Sequence, residues 1–166
     1  MDRAAELEAR AFELSEFIVH TCLEKKLNIS LAESITGGLI AKSITDIPGA
    51  SSVLFAGYVT YTESAKMTDL NVKKKTLERF TAVSSKTAEE MVLGLHNRTG
   101  SSICASVTGY AGPSFPGDDT LGCYYAGIYC RGKVRVYPLR SAEKDRKTIR
   151  LDACIHVLEL IKNSIE

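Results

Sequence analysis

Ser34 stands in the run Ala32-Glu33-Ser34-Ile35-Thr36-Gly37-Gly38, whose residue types and spacing suit one of two kinds of chemistry. A short β-branched, apolar stretch precedes the run and an amphipathic segment follows it. This is how a strand hands over to a helix, with two glycines that let a ligand approach the backbone closely. A serine at such a turn lies beside the unpaired N–H groups of a helix N-terminus. Those donors either bind an anion or form an oxyanion hole beside a serine that attacks a carbonyl. No Gly-Lys-Ser/Thr follows at P-loop spacing, and the run is not G-x-G-x-x-G. Taken alone, Thr36-Gly37-Gly38 reads most simply as a tight turn.

A serine nucleophile needs a base. His20, His96 and His156 all fall in predicted helices, away from the strand-end loops that hold triad members, so no Ser-His-Asp set is evident. Lys66 is the alternative. Most lysines are solvated, but one that points back over a sheet edge and is partly desolvated has a lowered pKa. Its neutral amine then takes the Oγ proton of Ser34 and returns a proton to the leaving group. Tyr61 either hydrogen-bonds into that network or packs in the core as a strand aromatic. Like Glu33 to Gly38, the polar turns Tyr61 to Lys66 and Thr108-Gly109-Tyr110-Ala111-Gly112-Pro113 each follow a predicted strand. Arg146 and Arg150 lie one helical turn apart at the start of the last predicted helix, against the macrodipole's preference for acids there. They read as a solvated face or as cations for an anionic ligand.

The elements that must position these residues alternate along the chain. A helix over residues 4–27 carries Leu7, Ala11, Leu14, Ile18 and Cys22 on one stripe. Phe12, Phe17 and Val19 lie off that stripe and are a candidate surface for self-contact. A strand at 28–31 leads into the glycine turn and a helix at 37–45, stopped by Asp46-Ile47-Pro48-Gly49. A strand at 52–61 precedes helices at 62–70 and 74–80. Ser84 or Ser85 caps a further helix that Gly100 ends. A strand at 102–107, a hairpin of 121–130 with 134–139, and a helix at 143–164 complete the chain. This alternation predicts a single α/β domain over residues 1–166, a three-layer α/β/α sandwich. Its sheet is mixed and mostly parallel, because the closing hairpin adds an antiparallel pair. In such a sheet the three polar turns gather at one edge, where ligands bind.

Composition bounds the rest. With 166 residues, 45% apolar and 25% charged, the chain has a globular profile and the length for a full core. Lys and Arg number 21 against 20 acidic residues, which is no footprint of a nucleic-acid binder but still allows a local cationic pocket. No apolar run approaches the ~18 residues of a membrane span, and the acidic start does not read as a signal peptide. The expectation is a cytoplasmic protein without nucleic-acid or membrane partners. Five cysteines without C-x-x-C spacing read as free thiols packed as small hydrophobes. No metal or other cofactor is expected.

Five segments in register carry a resemblance. They are Ala-Glu-Ser-x-Thr-Gly-Gly at 32–38, Asp-Ile-Pro-Gly-Ala-Ser at 46–51, Tyr-x-x-x-x-Lys at 61–66, Ala-Val-Ser at 82–84 and Val-Thr-Gly-x-Ala-Gly-Pro at 107–113. From about residue 10 to the C-terminus the chain resembles the CinA C-terminal domain family, the nicotinamide-nucleotide amidases. The resemblance implies a metal-independent hydrolase that turns nicotinamide mononucleotide and water into nicotinate mononucleotide and ammonia. It implies Ser34 as nucleophile, Lys66 as base and Tyr61 in support. Glu33, Thr36, Gly37 and Gly38 would lie at the substrate, the Thr36, Gly37 and Gly38 amides on its oxyanion or phosphate. Thr108, Gly109, Ala111 and Gly112 would shape the pocket, and Arg146 or Arg150 would be functional. It also implies a homo-oligomer and a stand-alone form without the pyrophosphatase-like domain of longer members. Two places depart from the family's pattern: Tyr110 replaces an aliphatic residue, and residues 114–119 bring bulk and negative charge where glycines are usual.

Overall fold

The computed structural model describes residues 2–114, 116, 117 and 119–166. Helix α1 (Arg3–Lys25) precedes strand β1 (Ile29–Glu33), and α2 (Leu39–Thr45) follows the glycine turn. A single 3-10 turn, Ala50–Ser52, then leads to β2 (Leu54–Val59), α3 (Glu63–Leu70), α4 (Lys74–Phe80) and α5 (Ser85–Thr99). Strands β3 (Ile103–Gly109), β4 (Cys123–Cys130) and β5 (Lys133–Arg140) end in α6 (Arg146–Ile165).

The strands form one sheet in the order β2-β1-β3-β4-β5. Strands β2, β1 and β3 pair in parallel, and β4 runs antiparallel to both β3 and β5. Four strands therefore point one way and β4 opposes them, which is the mixed sheet the sequence predicts. The order matters for function. Because β1 lies between β2 and β3, the turns after all three strands meet at one edge, where the chain's direction of winding reverses. Right-handed crossovers put α2 on one face and α3 to α5 on the other.

Each face buries its own core. Ile29 and Leu31 of β1 pack with α1, α2 and α6, including Ile18, Cys22, Ile40, Ile44, Val157 and Ile161. On the opposite face, Ala32 packs with Leu70, Met91, Val92 and Leu95. Side chains alternate along a strand, so neighbours in sequence serve opposite layers. Val19 proves fully buried, so the predicted self-contact stripe on α1 shrinks to Phe12 and Phe17, which remain exposed. A helix that packs against both α2 and α6 buries more of its circumference than a single stripe suggests.

Candidate active site

The same alternation separates Glu33 from Ser34. Glu33 follows Ile29 and Leu31 onto the α2 face, and Ser34 follows Ala32 toward α3. The Glu33 carboxylate accepts from Thr36 Oγ1 at 2.6 Å, Gly38 N at 3.0 Å, Ile40 N at 3.1 Å and Ala41 N at 2.8 Å. The first turn of α2 is thus capped by a buried anion from within the chain, which suits the positive end of its dipole. Two expectations move as a result. Neither Glu33 nor Thr36 lines the cavity at Ser34, and the Gly38 amide is already taken. The Gly37 amide is taken too, donating to Ser34 O at 3.1 Å. Among the described residues, the amides of this turn without an acceptor are those of Ile35 and Thr36.

Lys66 enters from α3. The Thr62 hydroxyl caps that helix, accepting from Ala65 N at 3.1 Å. One turn further in, Lys66 and Leu70 share the face that packs inward. Lys66 is only 1% exposed, and its Nζ lies 2.9 Å from Ser34 Oγ and 2.8 Å from Thr60 O. Among the described residues no carboxylate forms an ion pair with it. Burial without a counterion disfavours the ammonium form, and its pKa falls to about 8, with Glu63 opposing weakly. A lysine so tuned has a far larger neutral fraction near physiological pH than an ordinary one, with a serine hydroxyl in hydrogen-bond reach.

The pair opens into a cavity of about 210 Å³ walled by Tyr61, Val83, Thr108, Ala111, Gly112 and Arg146, among others. Thr108 Oγ1 donates to Ala82 O at 2.7 Å and so ties the end of β3 to the approach of α5. At Gly109 a Cβ would stand 2.3 Å from Tyr124 Cβ, so only glycine lets β3 and β4 come this close. Tyr110 also lines the cavity, with its backbone held on both sides by Cys123 O and Gly122 N. Ser114 lies at the margin. The expected bulk and charge of 114–119 rest partly on Phe115 and Asp118, which lie outside the described residues.

Tyr61 and the arginines take positions that spacing alone did not separate. Tyr61 is 54% exposed rather than packed in the core. Its hydroxyl accepts from Arg146 Nη2 at 2.7 Å, so it joins Arg146 and not the Ser34–Lys66 pair. Arg146 also donates to Gly112 O, spanning the cavity wall. Arg150 faces the back of the serine turn, with Nε 2.9 Å from Ile35 O and Nη2 2.8 Å from Thr36 O. It does not line the cavity. Gly37, at φ +59°, leaves room for it: a Cβ there would lie 2.8 Å from Arg150 Nη2. The acid that the α6 dipole prefers is present after all. Asp145 caps the helix through Lys147 N and Thr148 N, and its hydrogen bonds from Thr148 hold its carboxyl below the usual range.

With that geometry in place, comparison with known proteins is decisive. A model of the CinA C-terminal domain matches residues 11–165. The chain belongs to the CinA C-terminal domain family. A putative competence-damage inducible protein of Clostridium botulinum strain Okra is 39% identical over 154 residues, covering 92% of this chain and 37% of its own length. One from Clostridium acetobutylicum is 42% identical over 144 residues, covering 86% and 35%. The chain therefore spans about a third of these curated relatives. Among solved structures, the competence/damage inducible protein CihA of Agrobacterium tumefaciens is 35% identical with a TM-score of 0.91, covering 95% of this chain and 96% of that one. A CinA superfamily protein of Escherichia coli is 30% identical with a TM-score of 0.86, covering 92% and 90%.

The CinA-type sheet also carries a larger cavity, about 490 Å³, at its opposite edge, lined by Lys25, Leu27, His96, Ser101, Tyr129 and Arg131 among others. Nothing in the sequence reading pointed there. Its residues come from a helix end, a strand start and a hairpin turn that share no motif. Among the described residues, no cluster of His, Cys, Asp and Glu suited to a metal ion occurs, and no helix is long and apolar enough to cross a membrane.

Proposed function

We propose that this domain hydrolyses the carboxamide of nicotinamide mononucleotide, releasing ammonia and nicotinate mononucleotide. The observation that carries the reading is the 2.9 Å approach of Ser34 Oγ to a buried Lys66 that has no counterion among the described residues. Neutral Lys66 takes the Oγ proton as Ser34 attacks the amide carbon. The tetrahedral oxyanion forms against main-chain N–H groups of the turn. Lys66 then protonates the leaving nitrogen, ammonia departs, and a water activated by the same amine cleaves the acyl-enzyme. An unactivated amide resists direct attack by water, so splitting the reaction into two acyl transfers lowers the barrier. Arg146, at the cavity wall, is the cation placed to meet the substrate phosphate.

Ammonia release from nicotinamide mononucleotide tests the reading. Wild type turns over, and Ser34→Ala and Lys66→Ala each lose roughly 10⁴-fold or more in kcat. Nucleotide binding without turnover in wild type would instead identify a binding module.

Two further features of the reading concern setting and assembly. Five free cysteines suit a reducing compartment, and we place the reaction in the cytoplasm. For self-association we favour the β2 edge over α1. Phe55, Val59 and Tyr61 are exposed there, whereas the β5 edge carries exposed Lys133, Arg135, Pro138 and Arg140, a common guard against edge pairing. Light scattering on Phe55→Lys checks this: the variant is of lower mass than wild type if the edge is the contact.

A further inference from the structure

We propose that Arg150 is a positioning residue for the oxyanion hole, and that the hole is built on the N–H group of Ile35, which lines the cavity. This rests on the amidase reading and deepens it. The argument starts from where the turn's hydrogen bonds go. The Ile35 N–H belongs to a residue that lines the cavity, and it has no acceptor among the described residues. The Thr36 N–H has none either, but Thr36 is fully buried and does not line the cavity. Unpartnered amides in folded interiors are rare. One on the cavity side, immediately after a candidate nucleophile, is a donor held ready for a charge that arrives with the reaction.

Arg150 accounts for how the turn that carries it is held. Its Nε binds Ile35 O at 2.9 Å, and its Nη2 binds Thr36 O at 2.8 Å. In a trans peptide the C=O and N–H point in opposite directions. Fixing the Ile35 carbonyl on the guanidinium therefore turns the Thr36 N–H away from Arg150. The second bond fixes the next peptide plane, whose Gly37 N–H closes the turn on Ser34 O. A planar guanidinium grips two carbonyls at set spacing, which an ammonium cannot do. Its charge also polarises the peptides it holds, strengthening their N–H groups as donors. Glu33 anchors the far side of the turn through Thr36 Oγ1 and Gly38 N.

The test uses two readouts on wild type, Arg150→Met and Arg150→Lys. The first is turnover of nicotinamide mononucleotide. The second is modification of Ser34 by diisopropyl fluorophosphate, followed by mass spectrometry. In that step a Ser34 Oγ–P bond forms, the P–F bond breaks, fluoride leaves and Lys66 takes the hydroxyl proton. For Arg150→Met, kcat and the modification rate both fall roughly 10²-fold, while KM stays within about threefold because the side chain does not touch substrate. Arg150→Lys keeps the charge, loses one of the two carbonyl contacts and gives an intermediate loss. Should Arg150→Met not fold, the Lys variant alone decides. A raised KM with unchanged kcat, or a modification rate equal to wild type, overturns the positioning role. Wild type that is modified at Ser34 but leaves nicotinamide mononucleotide intact overturns the substrate reading and leaves the positioning role supported or refuted by the modification rates. Wild type that is not modified at all overturns both.

Discussion

The two ends of the sheet hold cavities of about 210 Å³ and 490 Å³, and the smaller one holds the Ser34–Lys66 pair. Helix direction sets the two ends apart. At the Ser34 end α2, α3, α5 and α6 begin, capped by Glu33, Thr62, Ser84 and Asp145. At the opposite end α1, α5 and α6 stop, and Lys25, Gly100 and Ser164 from those stops line the larger cavity. Helix N-termini favour negative charge and disfavour a lysine's positive one, whereas C-termini attract cations. The first end therefore suits an oxyanion, and the burial of Lys66 there lowers its pKa to about 8. At the second end the cation Lys25 already has a protein partner, its Nζ donating to Ile165 O, and the His96 ring contacts Ser101 O. Volume says where something fits. The backbone's charge and the unmet donors say where a reaction is stabilised.

If that contrast holds, the largest effects come from the catalytic end and depend on pH. Lys66 must be neutral to act as base, so kcat rises about tenfold per pH unit up to about 8 and levels off above it. A pH–rate profile that is flat from 6 to 9 would remove Lys66 from the mechanism. The same shift makes a stability prediction of definite sign. The folded-state pKa of about 8 lies below the ordinary lysine value of 10.5. Between them the unfolded chain binds more protons, so the wild type gains stability as pH rises through that window. Thermal melts of wild type and Lys66→Met from pH 7 to 10.5 should show the wild type gaining on the variant. Parallel curves would mean that the lysine is not desolvated as its burial implies.

Next in size is the cap that links the two sides of β1. Glu33→Gln keeps the shape but presents an NH₂ group to donors, leaving at least one buried N–H facing a donor. It should cost about 2–3 kcal/mol, in the range for hydrogen bonds to charged groups. Because the cap and the oxyanion turn share Thr36 and Gly38, kcat should fall as well. Urea titration and turnover measured together check this, and a loss of stability with full kcat would separate the cap from catalysis.

Much of this site was legible in residue order, and the reasons for the gaps are physical. Strand and helix periodicity placed Ser34, Lys66 and Thr108 at one sheet edge, since three parallel strands leave their turns on the same side. Lys66 was recoverable because it sits one turn after a capped start, on the face shared with Leu70. Glu33 was not, because adjacent residues look like one motif in sequence while a strand sends them to opposite layers. Arg146 and Arg150 defeated spacing for a similar reason. Residues four apart share a helix face, but the loop they meet has a front and a back. The family pattern pointed to the Thr36, Gly37 and Gly38 amides and passed over Ile35, since a backbone donor's availability depends on which neighbours take the others.

The smallest expected effect bears hardest on the contrast between the ends. Arg131 sits at φ +52° in the β4–β5 turn, over the larger cavity, and no acid forms an ion pair with it among the described residues. Its conformation follows from the turn, because a two-residue hairpin with the strands' own twist requires positive φ at both central residues, here Arg131 and Gly132. Arg131→Asn places a residue better suited to that conformation. It should raise stability by a few tenths of a kcal/mol, of order 0.5, and leave kcat and KM for nicotinamide mononucleotide at wild-type values. His96→Gln, which removes the ring stacked on Tyr129 at 3.6 Å between centroids, should lower the melting temperature without changing turnover. A several-fold change in kcat from either substitution would tie the far cavity to catalysis and break the separation of the two ends.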